Sequence, residues 1–382
     1  MNKNHLNKIL CPLCLGPLYV IDSYKNKTEV DYGIVECYAC KSKFPVINGV
    51  LRLLSGSLMN RCIDYYAKNL LNSIDEDTDA ELTQWLVRMI RKCGRHNLPI
   101  GTRRIDFPKG KSTNSRTVDA FAYEWHKWKH LPNYAEDNLK NISGSYDFKG
   151  KVGWDPAVGM GRHLESAIKA VGKNGFMFAS DLSYSIDIAR DRCKQYENVM
   201  FIQSDMRDIS YLNCFVSKLD FAYMIGVIQH LPDPTSLACR VAYTIKDGGY
   251  FFGTVYTAPK DILMKVVINF VKIMRIFTTR LPFWCVNIIS IICATPAYLF
   301  FKLPQCILNK FGYVQAMNRI YPNNQTQKGN PDFDLLVHAW FDHFVPPITK
   351  FFKEEEIKNL LDNLPITPEY SDGIIRGRTN WI

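Results

Sequence analysis

Val152-Gly153-Trp154-Asp155-Pro156-Ala157-Val158-Gly159-Met160-Gly161 is the stretch on which the fold turns. An apolar run ends in an acid and gives way to a turn of small residues. Arg162-His163-Leu164-Glu165-Ser166-Ala167-Ile168 then reads as a helix. A second apolar run, Gly175 to Ala179, stops at Ser180-Asp181, and a third, Val199 to Ile202, stops at Gln203-Ser204-Asp205. Strand, tight turn, helix and strand predict a right-handed βαβ crossover. Small residues in the turn let a ligand approach the backbone, and an acid ending the next strand can accept from ribose hydroxyls. Asp181 lies 20 residues past Gly161, the interval that geometry requires.

The order continues. Leu219 to Ile225 is a fourth apolar run, followed by Gly226-Val227-Ile228-Gln229-His230-Leu231-Pro232-Asp233-Pro234. A helical stretch reaches Ile245, Gly248-Gly249 suggests a turn, and Tyr250 to Tyr256 is a fifth strand. The class predicted is α/β, a Rossmann-like sheet with helices on both faces. Over roughly 116–258 the series resembles the class I S-adenosylmethionine-dependent methyltransferases, above all those reading G-V-L-H-H-x-x-D-P at the fourth strand. The resemblance implies a seven-stranded sheet and a set of roles. Asp155, Ala157, Gly159 and Gly161 would wrap the methionine part of the cofactor, S-adenosyl-L-methionine. Asp181 would grip the ribose with Leu182 beside the adenine, and Asp205 and Met206 would meet the adenine amino group and ring. Gly226, Val227 and Gln229 would face cofactor and acceptor. Ala157 and Gln229 depart from the family's glycine and first histidine, which keeps a non-catalytic cofactor-binding scaffold open as an alternative. Asp181 and Asp205 suit helix caps as well, and His230 suits a structural hydrogen bond as well as a base.

A second pattern lies at the N-terminus. Cys11-Pro12-Leu13-Cys14 and Cys37-Tyr38-Ala39-Cys40 are two C-x-x-C hooks with 22 residues between them. Such hooks place four thiolates tetrahedrally round Zn²⁺ in a closed, structural site, and a segment with so small a core needs that metal to fold. Lys43-Phe44-Pro45-Val46-Ile47-Asn48-Gly49-Val50-Leu51 resembles the small zinc-ribbon protein that activates tRNA and protein methyltransferases.

The chain has 382 residues, 47% hydrophobic and 22% charged, enough for two or three compact units with real cores. The other eight cysteines are scattered singly, which fits a reducing compartment, and no secretory pattern precedes the hooks. Residues 1–56 read as the ribbon, 57–117 as a helical segment and basic linker, and 118–258 as the core. Residues 259–330 read as an apolar helical insertion, a cap, and 331–382 as the part completing the sheet. Within the core, Val118 to Trp128 resembles the family's aromatic helix that closes over the cofactor. Within the insertion, Ile262 to Arg275 is a basic amphipathic helix, and Pro282 to Phe301 runs 20 residues without a charge. A single crossing there would divide one sheet between two sides of a membrane, so the segment is read first as a lid, next as an interfacial contact and last as a true span.

A net charge of +10 accompanies no arginine-rich tract and no RNP-type motif; a solvated surface or anionic lipid accounts for it as readily as nucleic acid. Methyl transfer from a sulfonium needs alignment in a dry site, and a base only where the acceptor must lose a proton. His230, His338 and Asp342 are the candidates; the last two lie in Val337-His338-Ala339-Trp340-Phe341-Asp342-His343, similar to the family's acceptor-facing stretch. The expectation is a cytoplasmic enzyme, peripheral to the membrane through 259–310 if the insertion meets lipid, acting on a small or lipid-linked acceptor. An RNA methyltransferase using the ribbon for recognition is the alternative.

Overall fold

A computed structural model describes residues 1–24, 29–54, 59, 62, 65–66, 115–130, 135–207, 219–304, 307 and 333–380. The helices read over 57–98 and the basic linker lie almost wholly outside them. Two compact units form: Met1–Ser112, Pro132–Ala258 and Thr349–Ile382 make one, and Thr113–Leu131 with Pro259–Ile348 the other.

The first unit is organised by one sheet. Its strands are β1 (Leu18–Ser23), β2 (Gly33–Cys37), β3 (Lys43–Ile47), β4 (Val50–Arg52), β5 (Val152–Asp155) and β6 (Phe176–Asp181). They continue as β7 (Val199–Gln203), β8 (Leu219–Met224), β9 (Ile245–Thr254), β10 (Ile366–Ser371) and β11 (Ile374–Thr379). Their order is β1-β2-β3-β4-β7-β6-β5-β8-β9-β11-β10. Strands β4 to β9 pair in parallel through the middle, and β11 and β10 close one side antiparallel. The seven strands from β7 to β10 are the sheet expected from the sequence. The expectation of seven strands and a separate ribbon is corrected to eleven, because β4 pairs in parallel with β7 and fuses the N-terminal meander to the sheet.

Alternation along each strand builds two cores, since successive side chains leave opposite faces. Trp154, Phe178, Met200, Ala222 and Phe251 lie on one face with Ala238 and Val241 of the helix Pro234–Tyr243 and Ile357 and Leu360 of the helix Glu354–Asn363. Met177, Ala179, Phe201, Phe221 and Tyr223 lie on the other, under the helices Ala135–Ser143, Arg162–Val171 and Ser185–Cys193. Gly248 and Gly249, read as a turn before the fifth strand, fall inside β9, whose pairing with β8 shifts register near Leu219 and Phe221.

In the second unit the helix Phe333–Phe344 is the hub. Val337, Phe341 and Phe344 pack with Val271 of the helix Ile262–Thr278, Val286 and Ala294 of the helix Phe283–Ala297, and Ala120 of the helix Ser115–Lys127. The aromatic helix read as opening the core therefore groups with the insertion, because its apolar face finds its partners there. Residues 333–348, read as part of the sheet-completing segment, group there too.

Candidate functional site

The carboxyl ends of β5, β6, β7 and β8 share one edge of the sheet, where open parallel α/β sheets place their ligands. At that edge the loop after β5 closes on β6. The Gly159 N–H donates to Asp181 Oδ2 at 2.8 Å, and Val158 N–H donates to the Ser180 carbonyl at 2.9 Å. Gly159 (φ 52°) and Gly161 (φ 82°) hold the left-handed conformations that the turn needs. Gly161 is also a packing residue, since a Cβ there would stand 3.1 Å from the Cα and Cβ of Ala189. Ala157 is not among the residues with positive φ, so its methyl introduces no backbone strain; its N–H donates to Asp155 Oδ1 at 3.3 Å.

Asp181 acts as the clamp of this loop. Besides Gly159 it accepts from the Ser183 N–H and Ser183 hydroxyl, both at 2.7 Å. Burial raises its carboxyl pKa, and the bonds from Ser183 and Gly159 oppose that rise. Asp155 is 5% exposed, and burial pushes its carboxyl up to about 7 against the Tyr223 phenol and the Ala157 N–H. Asp205 pairs with the Arg207 guanidinium, and the Arg207 N–H also donates to it at 3.0 Å. Leu182, Met206 and Val227 all pack against the same core cluster and line the edge with apolar surface.

At the end of β8, Gly226 (φ 72°) donates its N–H to Thr254 Oγ1 at 2.9 Å, and nothing lies within 4 Å of where its Cβ would be. Gln229 follows in a short 3₁₀ turn and is fully buried, yet neither its amide oxygen nor its amide nitrogen has a hydrogen-bond partner among the described residues. The Ser204 hydroxyl, past the end of β7, is in the same condition at 1% exposure. A buried polar group left unpaired costs about 1–3 kcal/mol, so these two are places where a ligand's polar atoms would be accepted. His230 is anchored beside Gln229, with Nδ1 3.1 Å from Thr349 Oγ1 and its ring edge-on to Tyr256.

Of the residues read from the sequence, the structure brings together Asp155, Ala157, Gly159, Gly161, Asp181, Leu182, Asp205, Met206, Gly226, Val227, Gln229 and His230 in the first unit. His338 and Asp342 belong to the second. There His338 Nε2 lies 2.8 Å from Glu124 Oε1, both groups buried, with the rings of Trp125 and Trp128 5.4 and 5.2 Å from the imidazole. Asp342 sits one turn further along the same helix, and burial lowers the pKa of the adjacent His343.

The residues that sequence reasoning missed are the partners. Tyr223, Ser183, Thr349 and Glu124 each complete a group that was visible, but only Ser183, two residues past an Asp, carried a local turn signal. The largest omission is a buried cluster where β4 meets β7. Arg52 is fully buried and donates to Asp187 Oδ1 at 2.6 Å, Gln203 Oε1 at 3.0 Å and the Ile47 carbonyl at 2.8 Å. Tyr66 donates to the other oxygen of Asp187 while its ring stacks under the guanidinium, and Gln203 Nε2 donates to the Leu182 carbonyl at 3.0 Å. The backbone beside the expected adenine position is thus tied to the N-terminal meander.

The four cysteines of that meander converge as expected. Cys11 and Cys40 Sγ are 3.7 Å apart, Cys14 and Cys37 Sγ 3.4 Å, and all four lie within 4.8 Å of one another. The two hooks match: Leu15 N–H returns to the Cys11 carbonyl and Lys41 N–H to the Cys37 carbonyl, with Leu15 (φ 60°) and Lys41 (φ 59°) left-handed. Four sulfurs at about 2.3 Å from a tetrahedral Zn²⁺ would be roughly 3.8 Å apart. A Cβ on Gly16 would come within 3.0 Å of Cys37 Sγ and 3.3 Å of Cys14 Sγ, so the cradle closes only on glycine. Burial raises the Cys11 thiol; at Cys40 burial is outweighed by bonds from Ser42, which lower its thiol to about 7.

A cavity of about 550 Å³ opens at the opposite, amino-terminal edge, among Tyr146, Lys151, Asp220, Lys246 and Tyr250. Its charges largely satisfy one another, Lys246 with Asp220 and Arg376 with Glu369.

Comparison with known proteins places this chain beside methyltransferases. The chain is 32% identical over 132 residues to the ubiquinone biosynthesis O-methyltransferase of Coxiella burnetii, covering 34% of this chain and 54% of that protein. It spans about half the length of the curated relatives it matches. Among solved structures, an O-methyltransferase family protein from Burkholderia thailandensis is 12% identical, covers 70% of this chain and 60% of that one, and has a TM-score of 0.39. The 1,6-didemethyltoxoflavin-N1-methyltransferase of Burkholderia thailandensis, solved with 1,6-didemethyltoxoflavin and S-adenosylhomocysteine, is also 12% identical, covers 70% and 88%, and has a TM-score of 0.40. Residues 154–253, the stretch from β5 to β9 that forms the edge, match the family described as "Methyltransferase domain".

Proposed function

We propose that this chain transfers a methyl group from S-adenosylmethionine to a small-molecule acceptor at the carboxyl edge of β5 to β8. The observation that carries the reading is the Gly159–Asp181 closure, together with the buried Gln229 amide that has no partner among the described residues, both within the matched stretch. Bound there, S-adenosylmethionine supplies a methyl on a sulfonium whose sulfur leaves as a neutral thioether. The chain's part is binding and alignment. Asp181 holds the loop in shape, and Leu182, Met206 and Val227 offer apolar contact for a base. Gln229 offers a donor and an acceptor. His230, oriented by Thr349, is the group assigned to take a proton from a hydroxyl or amine acceptor. The curated relatives bear the name of an O-methyltransferase of ubiquinone biosynthesis, which favours a small, apolar hydroxyl compound as the acceptor class.

The four-cysteine cluster is assigned a structural zinc. Cys11, Cys14, Cys37 and Cys40 would fill all four positions, leaving none for chemistry.

Titration calorimetry tests the cofactor assignment. Wild-type protein binds S-adenosylmethionine and S-adenosylhomocysteine; Gln229→Leu folds with unchanged or higher stability and binds both about tenfold more weakly, the worth of roughly one hydrogen bond. No heat from wild type with either ligand overturns the enzyme reading and the cofactor-binding scaffold alike; full affinity in the variant overturns the role of Gln229.

A further inference from the structure

From Ile262 to Pro331 the chain has no acidic residue and eight lysines and arginines, which leaves the remainder with a net charge of only +2. The same segment carries most of the large apolar side chains that are exposed among the described residues. On the helix Ile262–Thr278 they form a stripe at helical spacing: Ile262, Val266, Phe270, Ile273 and Phe277, between 41 and 80% exposed. The opposite face, with Ile268, Val271 and Thr278, is the buried one. Lys265 and Lys272, both exposed, fall along one border of the apolar stripe at 3.6 residues per turn.

The next helix has the same division. Phe283–Ala297 buries a narrow stripe of Val286, Ser290 and Ala294. It exposes Trp284, Ile288, Ile291 and Ile292. Phe283–Phe300 is long and apolar enough to cross a bilayer, yet only 17% of it is buried, unlike the core helix of a soluble unit. Arg280 precedes it and Lys302 ends it.

We propose that this helical pair lies in the plane of an anionic membrane surface, with the two apolar stripes in the acyl boundary and the lysines and arginines at the phosphates. Charge complementarity selects the occupant: a polybasic and apolar segment without acids fits the cytoplasmic-type leaflet, whose negative potential attracts each cation. The lysine stems run beside apolar side chains and carry their ammonium groups toward the headgroups. The pair does not span. β9 before it and β10 and β11 after it belong to one sheet, so a single crossing has no return. The inference does not depend on methyl transfer, and it would bring the chain to wherever apolar, lipid-dissolved acceptors accumulate.

Vesicle flotation tests it with the full chain. Phosphatidylcholine vesicles carrying about a third phosphatidylglycerol are compared with pure phosphatidylcholine. The expected result is flotation with the anionic vesicles, at least tenfold tighter than with the neutral ones. Phe277→Glu/Trp284→Glu/Ile292→Glu, three substitutions at exposed positions, abolishes flotation while circular dichroism and S-adenosylhomocysteine binding stay as in wild type. Lys265→Glu/Lys272→Glu removes the preference for anionic lipid. The inference is overturned if wild type stays with the soluble fraction on both vesicles, or if the triple variant floats as wild type does. It is equally overturned if sedimentation shows a dimer that the triple variant dissociates, because a second copy would then cover the stripe.

Discussion

Asp155 ends the first strand of the domain, and folding takes its carboxyl out of water. A carboxyl whose folded pKa stands near 7 against 3.8 holds its proton more tightly in the folded chain. Its contribution to stability is complete below the unfolded value and is lost as pH rises from about 4 to about 7. Urea unfolding of the ligand-free protein should therefore show a midpoint that falls across that window, and Asp155→Asn, which keeps an acceptor for the Ala157 N–H, should flatten it. An unchanged pH profile in the variant would remove Asp155 as the cause. At this scale much was legible. Asp155, Gly159 and Asp181 announce themselves because a strand end, a left-handed turn and a ribose-spaced acid leave local traces. Tyr223, which faces Asp155, leaves none, because only the pairing of β5 with β8 brings it there.

β4 is three residues long, and besides its backbone pairing with β3 and β7 one buried side chain ties it to the rest of the unit. Arg52 crosses from the meander into the βαβ layer and ends on Asp187 of the helix Ser185–Cys193, with Tyr66 over its guanidinium. Replacing one member of a buried ion pair strands the other. Arg52→Met should cost about 3–5 kcal/mol in chemical denaturation, whereas Arg52→Met/Asp187→Leu should recover most of it. A double variant as unstable as the single one would show that the loss is one of packing. Strand and helix positions were readable because their apolar periods are strong. The parallel pairing of β4 with β7 was not, since three residues carry no period and parallel partners are remote in sequence.

The first unit joins a four-cysteine cradle and the stretch similar to methyltransferases in a single sheet. Loss of the metal should therefore be felt beyond the meander. Purified protein should contain one zinc per chain by plasma mass spectrometry. A chelator should lower the melting temperature of the sheet as one transition by at least about 5 °C, which at this size corresponds to roughly 2 kcal/mol. A metal-free protein with an unaltered melt would contradict the cysteine assignment. A chelator effect confined to a small early transition would instead show that the meander unfolds alone.

By itself the sequence determined the βαβ series, the carboxyl-edge residues and the cysteine hooks, because each rests on neighbours within a few dozen residues and on backbone conformations that few residue types adopt. Tertiary structure alone decided that the ribbon is an extension of the sheet, that Asp181 is spent clamping its own loop and that the Gln229 side-chain amide is buried with no partner among the described residues. It also decided which faces of the insertion stay open. Those outcomes depend on which distant surfaces meet, and burial is settled only when they do.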